Sequence, residues 1–252
     1  MIDHTTFSSE WISSFPEADS LAKRQTIEKC VHAFYLLERL AKKGFPFVFK
    51  GGTSLMLLLP EPKRFSVDID IIMDPPFFDK IEKIAFSLRD EILYLVKEDF
   101  RKPEDVIKKH FKFYYHSLFQ EPGTPDPYIL LDVVFEQSPY LHASDHEIAM
   151  KWLKTSGRKV EVKIPSPEEM LGDKMTAFAP TTIGKLYFEG RYVEICKQLY
   201  DVALLSRLGQ DEAQVKESYD AVSLIECANR KNKYTTRQAL EDSLEATRLI
   251  FS

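Results

Sequence analysis

A chain of 252 residues with a formal net charge of −5 is long enough for one large domain or two small ones, each with a sizeable core. Apolar and charged fractions of 44% and 29% are those of an ordinary soluble protein, and the mild acidity argues against broad, nonspecific nucleic-acid binding while leaving room for a local basic cleft. No apolar run approaches the length that spans a bilayer and the N-terminus lacks a signal-peptide pattern, so no membrane association and a cytoplasmic location are the default expectations.

Residues Met1 to Pro16 carry aromatics without a period and suggest an arm or short helix packed on the body. From Ser20 to Lys43, Ile27, Cys30, Val31, Phe34, Leu37 and Ala41 recur at helical spacing, with Gly44 placed as a stop. The three cysteines, Cys30, Cys196 and Cys227, sit in helix-like patterns without metal or disulfide spacing and are read as buried thiols.

The stretch from Phe47 to Asp74, FVFKGGTSLMLLLPEPKRFSVDIDIIMD, organises the rest. It reads as a strand ending at Lys50, a glycine pair, a short helix from Ser54 ending at Pro60, and a second strand carrying Asp68 and Asp70. Strand residues two apart share a face, so the two carboxylates are expected side by side. Paired hard oxygens suit Mg²⁺, which binds through one or two carboxylates and completes its shell with water and phosphates. Gly51 and Gly52, at a helix start, let backbone N–H groups approach a phosphate.

Beyond Pro75 and Pro76, Phe78 to Lys97 has the spacing of an amphipathic helix. The basic segment Arg101 to Lys112, with Lys102, Lys108, Lys109 and His110, reads as a solvated helix face or loop, or else as a polyanion contact. Phe111 to His116 and Tyr128 to Phe135 read as strands joined by the turn-rich EPGTPDP. Asp132 is the one charge in the second of these, and its burial cost without a cation or hydrogen-bond partner makes it a site candidate; the bland alternative is an edge position facing water. His142 and His146 have metal-like spacing but no third soft ligand, and Ser144 or Asp145 is read as a helix cap. Val160 to Ile164 alternates as a strand, and SPEE at Ser166 to Glu169 has the form of a capped helix start. Helical patterns follow at Tyr192 to Leu208, Glu212 to Asn229 and Arg237 to Phe251. The change from mixed β and α to all α near Ile164 predicts an α/β (α+β) lobe with a mixed sheet over 1–164 and a helical lobe over 165–252, closing a cleft.

KGGTSL followed by RFSVDID resembles the AbiEii/AbiGii toxin family of nucleotidyltransferases, within the polymerase-beta-like superfamily. The resemblance is close over Phe47 to Asp74 and looser over Ser166 to Leu205, where SPEEMLGDKMTAF and KQLYDVALL match the family's helical motifs. It implies a third acid on a strand near the first two, here Asp132, as metal ligand or proton acceptor. It also implies Lys174 as a point charge on the triphosphate, and Asp201 orienting Lys174 or the nucleotide. Gln198 stands where the family usually has an acid after the basic Lys197, leaving Asp201 as the carboxylate to carry over. Lys50, Gly51, Gly52, Thr53, Ser54 and Ser66 become candidate nucleotide contacts, the hydroxyls as donors to a phosphate. The implied function is Mg²⁺-dependent transfer from an NTP to an acceptor hydroxyl, with RNA or a tRNA end as acceptor and a cognate antitoxin as partner. A small-molecule nucleotidyltransferase and an inactive nucleotide- or RNA-binding regulator are the alternatives.

Overall fold

Alternating apolar residues build a seven-stranded mixed sheet whose strands run in the order β3-β4-β5-β2-β1-β7-β6. The strands are β1 (Val48–Lys50), β2 (Ile69–Met73), β3 (Leu95–Glu98), β4 (Lys108–Tyr114), β5 (Tyr128–Phe135), β6 (Ser144–Glu147) and β7 (Glu161–Ile164). The pairs β2–β5 and β1–β7 are parallel and the others antiparallel, the mixed α/β class expected. This structure, a computed structural model, describes residues 1–59, 61–101, 107–209 and 211–250; Pro60, Lys102 and Phe251, which figure in the expectations above, lie outside them. The chain divides into two compact units, Met1–Ser138 with Ser144–Ile164, and Pro139–Ala143 with Pro165–Ser252.

In the first unit Phe49, Ile69, Ile71, Phe111, Phe113, Ile129, Leu131 and Val133 fall on one face of the sheet and are fully buried. Helix α2 (Leu21–Ala41), preceded by the short α1 (Ser9–Ser13), buries Ile27, Val31, Phe34 and Leu37 and packs across β5 and β7. Ser20 caps it by accepting from Lys23 N–H, and Gly44 stops it at φ +74°. Helix α3 (Gly51–Leu58) packs against β1, β2 and β6.

Three expectations change in the first unit. The helix from Phe78 is α4 (Phe78–Phe86) and stops there, because Asp90 Oδ1 accepts from the N–H groups of Ile92 and Leu93 at 2.9 and 2.8 Å, a turn that turns the chain into β3. Lys108, Lys109 and His110 are not a helix face or loop; they form the first half of β4, held by pairing to β5. Ser144 and Asp145 cap no helix: they open β6, paired antiparallel to β7 despite poor strand propensity, because tertiary pairing overrides it.

The second unit contains α5 (Pro167–Ala177), α6 (Tyr192–Leu205), α7 (Glu212–Asn229) and α8 (Thr236–Ile250). The capping box at α5 forms in full: Ser166 Oγ accepts from Glu169 N–H at 3.2 Å, and Glu169 Oε2 accepts from Ser166 N–H at 3.0 Å. A Cβ on Gly172 would lie 2.6 Å from Tyr219 N, so only glycine lets α5 approach α7 this closely. Cys30 and Cys227 are buried, but Cys196 is exposed, because α6 turns Ile195 and Leu205 inward and leaves Cys196 on its outer side.

Candidate active site

The site is built where β1 hands over to α3. Lys50 stands at the N-cap of α3 and makes no side-chain capping bond, so the cap's own side chain takes up none of the first N–H groups, an arrangement suited to an anion. Gly51 adopts φ +83°, and a Cβ there would lie 2.3 Å from Asp70 Oδ2. A Cβ on Gly52 would lie 2.5 Å from the Arg64 guanidinium and 3.0 Å from Ser66 Oγ. The glycine pair therefore lets the turn pass between a carboxylate on one side and a guanidinium and hydroxyl on the other.

Register places four of the chain's polar side chains in one row. Lys50 pairs with Asp70, Asp70 with Asp132, and Asp132 with His110, across β1, β2, β5 and β4. Directly opposed residues share a face with Cβ atoms about 5 Å apart, so the row projects on the face opposite Phe49, Ile71, Val133 and Phe111. Asp132 is not an edge residue; β5 is flanked by β2 and β4. Its Oδ1 lies 2.6 Å from His110 Nδ1 and 3.7 Å from Arg101 Nη2. Arg101 also reaches Asp99 at 3.2 Å, and Lys112 bonds Asp99 at 2.8 Å. The Lys112 bond and then the Arg101 guanidinium hold the Asp99 carboxyl below its usual range.

The other expected contacts are placed as follows. Asp68 precedes β2 and is exposed; its carbonyl accepts from Thr53 Oγ1 at 2.6 Å, and the strand ladder begins one residue later. Thr53 and Ser54, expected as phosphate donors, are fully buried, and Ser54 Oγ donates to Gly51 O at 2.9 Å. Ser66 Oγ lies 2.9 Å from Thr53 Oγ1 and donates to it, since the one Thr53 proton goes to the Asp68 carbonyl, and Ser66 is partly exposed. In the second unit Lys174 Nζ lies 3.4 Å from Asp201 Oδ2 and donates to Gln198 Oε1 at 3.2 Å, so Gln198, noted above as a departure, is an uncharged ligand of the lysine. Lys109 points to the other face of the sheet, within 3.7 Å of Glu82 and 3.8 Å of Glu98, and does not share a face with Asp132.

Among the described residues no group of three His, Cys, Asp or Glu side chains is arranged to hold a metal ion by itself. The donor set nevertheless fits Mg²⁺ as a two-carboxylate site completed by substrate phosphates: hard oxygens at Asp70 and at Asp68 two residues before it in the chain, and a side-chain-free Gly51 against the Asp70 carboxylate. His110 and Arg101 are the site neighbours that sequence reasoning grouped only as basic residues. The signal that places His110 is alternation, since Lys108, His110 and Lys112 share the face of β4 that meets Asp132.

The family described as nucleotidyl transferase AbiEii toxin of type IV toxin–antitoxin systems matches residues 35–249. Among solved structures, the chain is similar to MenT4, a nucleotidyltransferase toxin from Mycobacterium tuberculosis, with a TM-score of 0.60 and 17% identity over 88% of this chain and 73% of that one. It also matches an antigenic nucleotidyltransferase-like protein from Paracoccidioides brasiliensis, with a TM-score of 0.47 and 17% identity over 85% of this chain and 93% of that one. No curated protein matches it. At these identities the MenT4 likeness carries the fold alone, while the family match spans most of the chain and covers both the glycine turn with its carboxylates and the helices that bear Lys174 and Asp201. This chain belongs to the AbiEii family of nucleotidyltransferase toxins of type IV toxin–antitoxin systems.

Proposed function

We propose that the chain transfers a nucleotidyl group from an NTP to a hydroxyl of RNA, at a tRNA end, with Mg²⁺ as the cofactor. The observation that carries this reading is the row Lys50–Asp70–Asp132 beside a glycine turn that opens a helix. Nucleotidyl transfer asks for in-line positioning and charge neutralisation more than covalent help, and that row supplies both signs of charge next to a phosphate-sized backbone cradle. The phosphates lie on the N–H groups of Gly51 and Gly52 in this reading, with Lys50, Arg64 and Ser66 beside them. Asp68 and Asp70 hold the metal, which supplies Lewis-acid neutralisation of the phosphate oxygens when bound. The attacking hydroxyl oxygen bonds to the α-phosphorus as the bond to the departing pyrophosphate breaks, and the hydroxyl proton passes to Asp132. In the second unit Lys174 is held by Asp201 and Gln198. Thr53 and Ser54 act by fixing the turn, through their bonds to the Asp68 and Gly51 carbonyls.

The test is to incubate the chain with each labelled NTP, Mg²⁺ and total cellular RNA, and to repeat RNA binding over a salt series. RNA labelling is expected, with affinity falling at a log–log slope of about −0.7 per phosphate contact. Salt-insensitive labelling of a small hydroxylated compound, with RNA left unlabelled, would replace RNA by a small-molecule acceptor. Binding of NTP without transfer to anything would favour an inactive regulator. As the toxin of a type IV pair the chain is expected to be countered by a cognate antitoxin, and direct contact between the two is checked by co-purification.

A further inference from the structure

We propose that His110 is a positioning residue for the transfer reaction: its Nδ1–H fixes Oδ1 of Asp132 and so presents Oδ2 to the attacking hydroxyl. The inference rests on Asp132 belonging to the transfer site. An ionised carboxylate only accepts hydrogen bonds, so the nitrogen 2.6 Å from it is the one that carries a proton, and at that length the bond is charge-assisted. The two side-chain contacts to Asp132, from His110 and from Arg101 at 3.7 Å, both fall on Oδ1; among the described residues none falls on Oδ2.

The histidine is held by its place in the strand ladder and by its bond to Asp132. It is 8% exposed, sits directly opposite Asp132 in the β4–β5 ladder, and its carbonyl accepts from Asp99 N–H at 2.7 Å. An imidazole fixed in this way sets the rotamer of its carboxylate partner, as the orienting member does in other acid–base pairs. A free Asp132 side chain would turn away from the like charge of Asp70, its neighbour on the other strand, and toward Arg101. His110 gives the carboxylate one defined orientation between them. A buried histidine serving only to fill space would need its ring volume and not its donor, and this separates the two accounts.

The experiment compares His110→Phe, which keeps a ring and removes the donor, with His110→Asn, whose amide N–H stands near the position of Nδ1. Transfer of labelled nucleotide to total tRNA, NTP binding and melting temperature are measured for both, and the protonated ring nitrogen of His110 is identified by ¹⁵N NMR in the wild-type chain. Expected are a kcat lower by roughly 10–100-fold in His110→Phe with NTP affinity unchanged, recovery of most of that loss in His110→Asn, and a proton on Nδ1. Wild-type kcat in His110→Phe, an Asn variant as impaired as the Phe variant, or a proton on Nε2 alone would each overturn the proposal. Should the Phe variant not fold, the Asn variant and the ring nitrogen decide. If Asp132→Asn leaves transfer intact, the reading of the site is what fails; if Asp132→Asn is inactive while His110→Phe is not, only this inference fails.

Discussion

In the first unit Asp70 and Asp132 stand partly exposed in an ordered row, whereas in the second Lys174 and Asp201, 6% and 0% exposed, close on each other inside a helical core. The first arrangement sets Asp70 between Lys50 and Asp132, so that charges of both signs stand in a row at the edge of solvent. The second places opposite charges together, where the cost of removing both from water is offset only while both are present. Charge that is to meet a ligand and charge that is to hold a fold are thus told apart by exposure, and not by residue type.

The sharpest way to break this contrast is at Asp70. Asp70→Asn is expected to lower kcat by about 10³-fold, yet to change the unfolding free energy by no more than about 1 kcal/mol, since it removes a like-charge neighbour of Asp132 together with an opposite-charge neighbour of Lys50. Chelation of divalent cations should silence the wild type and leave the stability of the metal-free chain where it was. A larger loss of stability in Asp70→Asn would mean that the row is a structural network. In the second unit the expected loss is of fold: Asp201→Ala, leaving a buried ammonium with only the neutral Gln198 as partner, should cost about 3–5 kcal/mol, and the double change Lys174→Met with Asp201→Leu much less. Denaturant titration of the single and double variants checks this, and equal losses in both would show that the pair is not coupled.

A third measurement sharpens the comparison by showing that the first unit, too, seals a titratable group away from its site. Burial pushes the His32 imidazole down to about 4, with the Glu28 carbonyl at 2.8 Å and the more distant Asp90 charge opposing this, and the ring stacks on Tyr115 at 3.8 Å. A base whose folded pKa lies below its unfolded value binds fewer protons when folded, so stability is fully present above about 6.5 and is lost as pH falls through about 4, on the order of 3 kcal/mol. Glu28, raised by its own burial, acts in the opposite sense. The difference between wild type and His32→Phe across that window isolates the histidine, and parallel curves would exclude it. The smallest effect is at Gly51: Gly51→Ala should cost about 1–2 kcal/mol for its left-handed φ and, by pushing on Asp70 Oδ2, reduce transfer as well. Transfer undiminished in that variant would separate the turn from the site.

Much of this was legible in the residues. The α5 capping box, the strand–glycine–helix turn and the strand bearing Asp132 announce themselves through local chemistry, and a sequence window of ten residues contains all that determines them. His110 and Arg101 do not, because their importance comes from register: which residue of β4 lies opposite Asp132 depends on how β4 and β5 align, and no local pattern states it. The same holds for β3, where apolar spacing fits a helix and an aspartate turn at Asp90 decides otherwise, and for β6, whose SDHE becomes a strand only because β7 pairs with it. The hydroxyls of Thr53 and Ser54 suggest ligands by type, and only burial reveals that they serve the backbone.

The capping glutamate of α5 has a second task. Besides closing the box with Ser166, Glu169 Oε1 accepts from His142 N–H at 2.8 Å and also from Leu141 N–H, so the segment Pro139–Ala143 is fastened into the helical unit although the chain returns afterwards to add β6 and β7 to the sheet. The backbone therefore passes from one unit to the other three times, at 138/139, 143/144 and 164/165. Neither unit is a contiguous piece of sequence, and each supplies part of the other's covalent path. A gene fragment beginning at Pro165 would encode the helices without the strand of backbone that satisfies Glu169, and a single proteolytic cut after Ile164 would leave the two products clasped. Truncation at the apparent boundary is for that reason a poor way to obtain either half.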